Sequence, residues 1–113
     1  MNKTELEQTV HQFIAAANQF DTSSVLELFA EDAVIDDVSV GDKFEHIAGI
    51  KKYFETFFIG YHTTTKLMSL EHVEPGRIVA KVDFTGDFGH ETGVLEIFTD
   101  AAGLMVRINA DLD

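Results

Sequence analysis

The chain has no cysteine, and this excludes disulfides, thiolate zinc sites and cysteine nucleophiles together. Basic residues are scarce: 8 Lys+Arg stand against 20 Asp+Glu, giving a formal net charge of −12. Nucleic acid is therefore not expected as a partner, because binding a phosphate backbone needs clustered Lys and Arg. No apolar run approaches the roughly 18 residues of a membrane span. Met1-Asn2-Lys3-Thr4-Glu5 leads into an acid-studded stretch, and a soluble, cytoplasmic protein is the expectation. Phosphate-cradling glycine loops, nucleophile elbows and dinucleotide fingerprints are also missing. His11, His46, His62, His72 and His90 show no HxxxH or HxH spacing, so neither a metal nor a cofactor is expected. Tryptophan is absent too, whereas ten Phe and two Tyr are present and predict a Phe-rich core. With 113 residues, 45% of them hydrophobic, one ordinary core and one domain over residues 1–113 are expected.

Helical periodicity dominates the first half. Leu6, Val10, Phe13, Ile14, Ala17 and Phe20 form one stripe of a helix, with Thr4 and Glu7 fitting a capping box at its start. A second, short helix is predicted after Asp21-Thr22-Ser23-Ser24, with Ser24 and Glu27 as a second capping box, burying Val25, Leu28 and Phe29 and stopping near Glu31-Asp32. A third runs from about His46 to Phe58, with Ile47, Ile50, Phe54 and Phe57 on one face and Lys51, Lys52 and Glu55 on the other, ending at Gly60.

The second half changes period. Residues 63–73, 77–88, 93–100 and 104–112 alternate, separated by Glu74-Pro75-Gly76, by Gly89 to Thr92 and by Asp100-Ala101-Ala102-Gly103. These predict four strands in hairpin succession. Ile78, Ala80, Val82 and Phe84 share one face of the second, and Val106, Ile108, Ala110 and Leu112 share one face of the last. Residues 33–40 add a short strand whose periodicity leaves open whether Asp36 or Asp37 points inward. The expected fold class is α+β, with three N-terminal helices packed on a strongly curved, mostly antiparallel sheet.

Phe13-Ile14-Ala15-Ala16-Ala17-Asn18-Gln19-Phe20-Asp21, followed by Leu28-Phe29-Ala30-Glu31-Asp32-Ala33-Val34-Ile35-Asp36-Asp37, resembles the opening of the nuclear-transport-factor-2-like superfamily. That superfamily includes SnoaL-type polyketide cyclases and Δ5-3-ketosteroid isomerases. Tyr53-Phe54 after Ile50 is similar to its third helix, and the likeness extends over essentially the whole chain. The resemblance implies a cone-shaped α+β barrel with an apolar cavity for a small hydrophobic molecule, no cofactor, and pairing of sheets into a homodimer. Leu95 and Ile97, opposite in phase to Glu96, would supply the apolar outer face of that pairing.

In such a cone the inward residues would be Val82 and Phe84, then Val94, Glu96 and Phe98, then Ile108, Ala110 and Leu112. Glu96 would put a carboxyl among apolar neighbours, where it must find a partner or keep its proton. The resemblance further places Asp37 at the general base of the isomerases and Glu96 at their protonated oxyanion-hole acid. Their oxyanion-hole tyrosine would come from the first helix, where Phe13 stands and cannot donate; Tyr53 or Tyr61 would have to replace it, so strict steroid isomerisation is not expected. His62 or His72 would be the acid/base by likeness to scytalone dehydratase. An Asp-Arg-Asp set like that of the superfamily's epoxide hydrolases would need Arg77 or Arg107, and Arg107 alternates away from the cavity. The expected site therefore combines Asp37 and Glu96 as catalytic residues with Phe13, Phe54, Phe57, Val82, Phe84, Phe98 and Ile108 as ligand-binding residues. The bland readings are that Asp36-Asp37 caps a turn before Val38 to Gly41 and that Glu96 sits at a dimer seam or pairs with a buried His or Lys.

Overall fold

The computed structural model describes residues 2–113. Its elements are α1 (Lys3–Asn18), α2 (Thr22–Leu26), β1 (Phe29–Asp37), β2 (Asp42–Glu45) and α3 (His46–Phe54), which runs directly into a π-helical turn (Glu55–Ile59). β3 (Thr64–Glu74), β4 (Arg77–Gly86), β5 (Gly89–Thr99) and β6 (Met105–Leu112) follow. Three α-helices thus cover one curved sheet in the order β2-β1-β6-β5-β4-β3. β1 runs parallel to β6, and every other pair is antiparallel. The α+β class matches the expectation, but the sheet is open, with β2 and β3 as its edges, and does not close into a barrel. No helix among the described residues is long and apolar enough to cross a membrane.

Leu6, Val10, Phe13, Ile14 and Ala17 bury the expected stripe of α1. The cap is two residues earlier than expected, because the Asn2 side chain already accepts from the Glu5 N–H at 2.8 Å. Phe20 leaves the stripe: it follows the helix at φ 56° and is 37% exposed. Likewise Asp21, not Ser24, caps α2, accepting from the Ser24 N–H at 3.2 Å. Phe29 begins β1 instead of extending α2.

Register fixes the faces of the sheet. Val82 pairs with Gly93, Ala80 with Leu95 and Ile78 with Ile97, while Leu95 and Ile97 pair onward with Ala110 and Ile108. Directly opposite residues share a face, so these side chains form the inner layer against the helices. Leu95 and Ile97 are therefore core, 6% and 0% exposed, and not an outer dimer seam. The β4–β5 turn is the two residues Asp87-Phe88, two fewer than the expected loop from Gly89 to Thr92.

Asn18 ties the last turn of α1 to edge strand β3. Its amide donates to the Thr65 carbonyl at 2.9 Å and accepts from the Thr65 N–H at 2.6 Å, replacing the missing neighbour strand. Asn18→Ala strands both groups of a residue only 7% exposed. It is expected to lower unfolding stability by about 1–3 kcal/mol, read from urea denaturation.

Candidate active site

The open end of the sheet and the π-helical turn enclose a pocket of about 290 Å³, close to the lower end of the range for ligand pockets. Asp37, at the end of β1, lies on its wall and is 6% exposed. Alternation along β1 turns Asp36 to the opposite face, where it accepts from the Arg107 guanidinium at 3.0 Å. This resolves the Asp36/Asp37 ambiguity, and Arg107 faces away from the pocket as its phase requires.

Asp37 is held by three donors. Its Oδ1 accepts from the Ser39 N–H at 3.0 Å and from the Ser39 hydroxyl, and its Oδ2 accepts from the Tyr53 hydroxyl at 2.5 Å. The Ser39 bonds make a side-chain turn, so the bland reading of a turn cap is correct as far as it goes. Four lone-pair sites less three bonds leave one acceptor site open, on Oδ2. Burial, first, and then the adjacent Asp37 charge and hydrogen bond raise the Tyr53 phenol well above its ordinary 10.0. Tyr53 thus keeps its proton as a neutral donor beside a carboxyl group.

Aromatic rings make the rest of the wall. α3 delivers Tyr53, and the π-helical turn delivers Phe57 and Phe58, whose rings lie 5.3 Å and 6.1 Å from that of Tyr53. Inserting a residue into a helical turn re-aims the side chains after it, a device common at functional sites. Phe58 meets Phe84 of β4 edge-on at 6.0 Å, and Tyr61 meets Phe88 of the β4–β5 turn at 6.4 Å. Gly93 packs against the Phe84 ring of that wall: a Cβ there would stand 2.7 Å from the Asp111 carbonyl and 3.5 Å from the ring. Glu91, opposite Phe84 on β5, completes the mouth.

Of the expected ligand-binding residues, only Phe57 and Phe84 line this pocket. Phe13, Phe54, Val82 and Ile108 are core residues behind it, Phe13 packing edge-on against Phe29 and Phe54 stacking on Phe58. Glu96 and Phe98 are corrections: both lie on the outer face, since the inner phase of β5 belongs to Leu95 and Ile97. Arg77 sits over the Phe98 ring at 5.4 Å. Neither candidate histidine reaches the pocket; His62 is exposed and bonded to Asp87 at 2.9 Å, and His72 lies 3.5 Å from Glu7 under α1. Among the described residues no three His, Asp or Glu side chains converge as a metal set. Tyr53 was legible as a candidate: it shares a helical stripe with Ile50 and Phe57, and a buried tyrosine hydroxyl needs an acceptor.

Glu96 is instead the hub of an outer-face network. It accepts from the Arg77 guanidinium, Nε at 3.0 Å, and from the Asn109 amide at 2.9 Å, and Asn109 in turn accepts from Arg107 at 2.7 Å. The Arg77 bond, then the Asn109 bond, pull its carboxyl below the ordinary 4.5, so it is ionised and cannot act as a neutral oxyanion donor. A depressed folded value means stabilisation that is present above 4.5 and lost as pH falls through that folded value. The urea midpoint of the native protein is accordingly expected to fall more steeply than that of Glu96→Gln on acidification below 4.5.

Residues 10–109 match the family model described as a SnoaL-like domain. No curated protein matches the chain at a significant level. Among solved structures, a polyketide cyclase homologue from Sinorhizobium meliloti superposes with a TM-score of 0.84 at 18% identity, over 97% of this chain and 99% of that one. A ketosteroid isomerase homologue from Kribbella flavida gives 0.85 at 13% identity, over 97% and 78%. A Mycobacterium tuberculosis protein in complex with estradiol-17β-hemisuccinate gives 0.82 at 18% identity, over 94% and 92%. At such identities these likenesses establish the fold. The match over most of the sequence makes this chain a member of the SnoaL-like domain family, and its architecture is the nuclear-transport-factor-2-like fold.

Proposed function

We propose that the pocket binds a small hydrophobic molecule and that Asp37 serves as proton acceptor in a cofactor-independent reaction of the isomerase, cyclase or dehydratase type on a carbonyl compound. The observation that carries this reading is a nearly buried Asp37 with one open acceptor site, facing an aromatic pocket beside the neutral Tyr53 hydroxyl. A base next to the substrate carbon and a neutral donor near its oxygen are the two parts that enolisation needs. Tyr53 takes the donor role first assigned to Glu96, its hydroxyl turning from Asp37 to the substrate oxygen once the substrate is bound. One of the similar structures holds estradiol-17β-hemisuccinate, a small molecule with a largely apolar body, which supports this reading. The proposal includes a homodimer through the outer sheet face, where Val79, Val94 and Phe98 stand among the ion pairs, and a cytoplasmic location.

The test is α-proton exchange. 2-Tetralone, a hydrophobic ketone with acidic α-hydrogens, is incubated with the protein in deuterated buffer and followed by proton NMR. Exchange faster than in buffer alone is the expected result.

A second reading rests on the same hydrogen bonds: Asp37 joins the β1–β2 turn to α3 through Ser39 and Tyr53, a latch that a purely ligand-holding domain would also need. That reading expects binding of the ketone without exchange.

A further inference from the structure

The donors and acceptors of the pocket are out of balance. Of the hydroxyls on its wall, Tyr53 and Ser39 already donate to Asp37, and Thr63 donates to the Phe57 carbonyl at 2.7 Å. Tyr61 brings its hydroxyl to an exposed rim. Acceptors remain: the open site on Asp37 and the whole carboxylate of Glu91. Among the described residues no Lys, Arg or His lines the wall, so nothing there offsets these two acids.

Six aromatic rings surround the same space. The face of an aromatic ring carries negative potential and attracts a cation placed over it. The net charge of −12 adds a field of the same sign, which raises the local concentration of cations at a cleft of this kind. An anionic ligand would meet two carboxylates, and a ligand without charge would leave the Glu91 carboxylate unanswered. A protonated amine, donor-only and positively charged, answers every one of these features. Val40, Tyr61 and Phe88, exposed around the mouth, offer apolar surface to the remainder of such a ligand.

We infer that the molecule held in this pocket carries a protonated amine beside its carbonyl group, with the ammonium against Glu91 at the mouth and the apolar body against the aromatic wall. The inference rests on the reading of the pocket as a small-molecule site and specifies the charge of the molecule.

Three probes with one ring system separate the two statements: 1-naphthylmethylamine, 1-naphthylmethanol and 1-naphthoate, titrated near neutral pH by calorimetry at low salt. The amine is expected to bind about tenfold tighter than the alcohol, with the naphthoate weakest. Glu91→Gln, at an exposed position that does not endanger folding, is expected to weaken the amine about three- to tenfold and leave the alcohol unchanged; added salt should do the same. An alcohol that binds as well as the amine overturns the charge assignment and leaves the pocket reading intact. Failure of all three probes to bind overturns both. An amine preference that survives in Glu91→Gln and in Asp37→Asn places the selectivity outside this pocket and also overturns the inference.

Discussion

Asp37→Asn is expected to slow α-proton exchange by about 10²–10⁴-fold, the usual contribution of a positioned general base. The substitution keeps the shape of the side chain and an oxygen for the two Ser39 donors. The amide nitrogen then faces Tyr53, whose hydroxyl can accept as well as donate, so the buried pair inverts instead of breaking. Stability should therefore change little, which separates a chemical effect from an unfolding one. Asp37→Ala is different, because it leaves the buried Tyr53 hydroxyl unpaired and should lose about 1–3 kcal/mol of stability as well. Exchange rates by NMR and urea midpoints, measured on the same preparations, distinguish the two variants. An Asn variant that exchanges at the native rate would reduce Asp37 to the latch between the β1–β2 turn and α3.

The largest stability effect is expected on β5. Ile97 is fully buried between Ile78 and Ile108 on the inner layer, so Ile97→Ala should cost about 2–5 kcal/mol through lost transfer energy and a residual cavity. That is a large share of the roughly 5–15 kcal/mol that holds a domain of this kind folded. Glu96→Gln, one residue earlier, alters only the partly exposed outer face and should move the urea midpoint far less. The contrast tests the strand phase directly. A severe loss for Glu96→Gln with a mild one for Ile97→Ala would mean that the face of β5 is inverted.

The phase of β5 was recoverable from the sequence. Gly93-Val94-Leu95-Glu96-Ile97-Phe98 is apolar in both registers, so alternation alone does not choose between them. Hairpin geometry does. A loop of two residues and a loop of four both pair even-numbered positions of β4 with odd-numbered positions of β5. The inward Ile78, Ala80 and Val82 therefore require Leu95 and Ile97 inward, and Ile108 and Ala110 of β6 require the same from the other side. β2 and the π-helical turn are less accessible to such reading, because Asp42–Glu45 is short and exposed and a π-turn has no periodicity of its own.

The sequence by itself determined the types of all elements except β2 and the π-helical turn, the buried stripe of α1, the inner faces of β4 and β6, the aromatic character of the interior and the surplus of acid. Each follows from local periodicity or from composition, which need no knowledge of distant neighbours. Only the tertiary structure decided which acid faces the pocket. β1 is fixed by parallel pairing with a strand about seventy positions later, and that pairing turns Asp37 toward Tyr53 while giving Asp36 to Arg107. Glu96 passed in the same way from candidate acid to the partner of Arg77. A carboxylate takes its role from the groups that surround it, and here those groups come from strands and helices far apart in the chain.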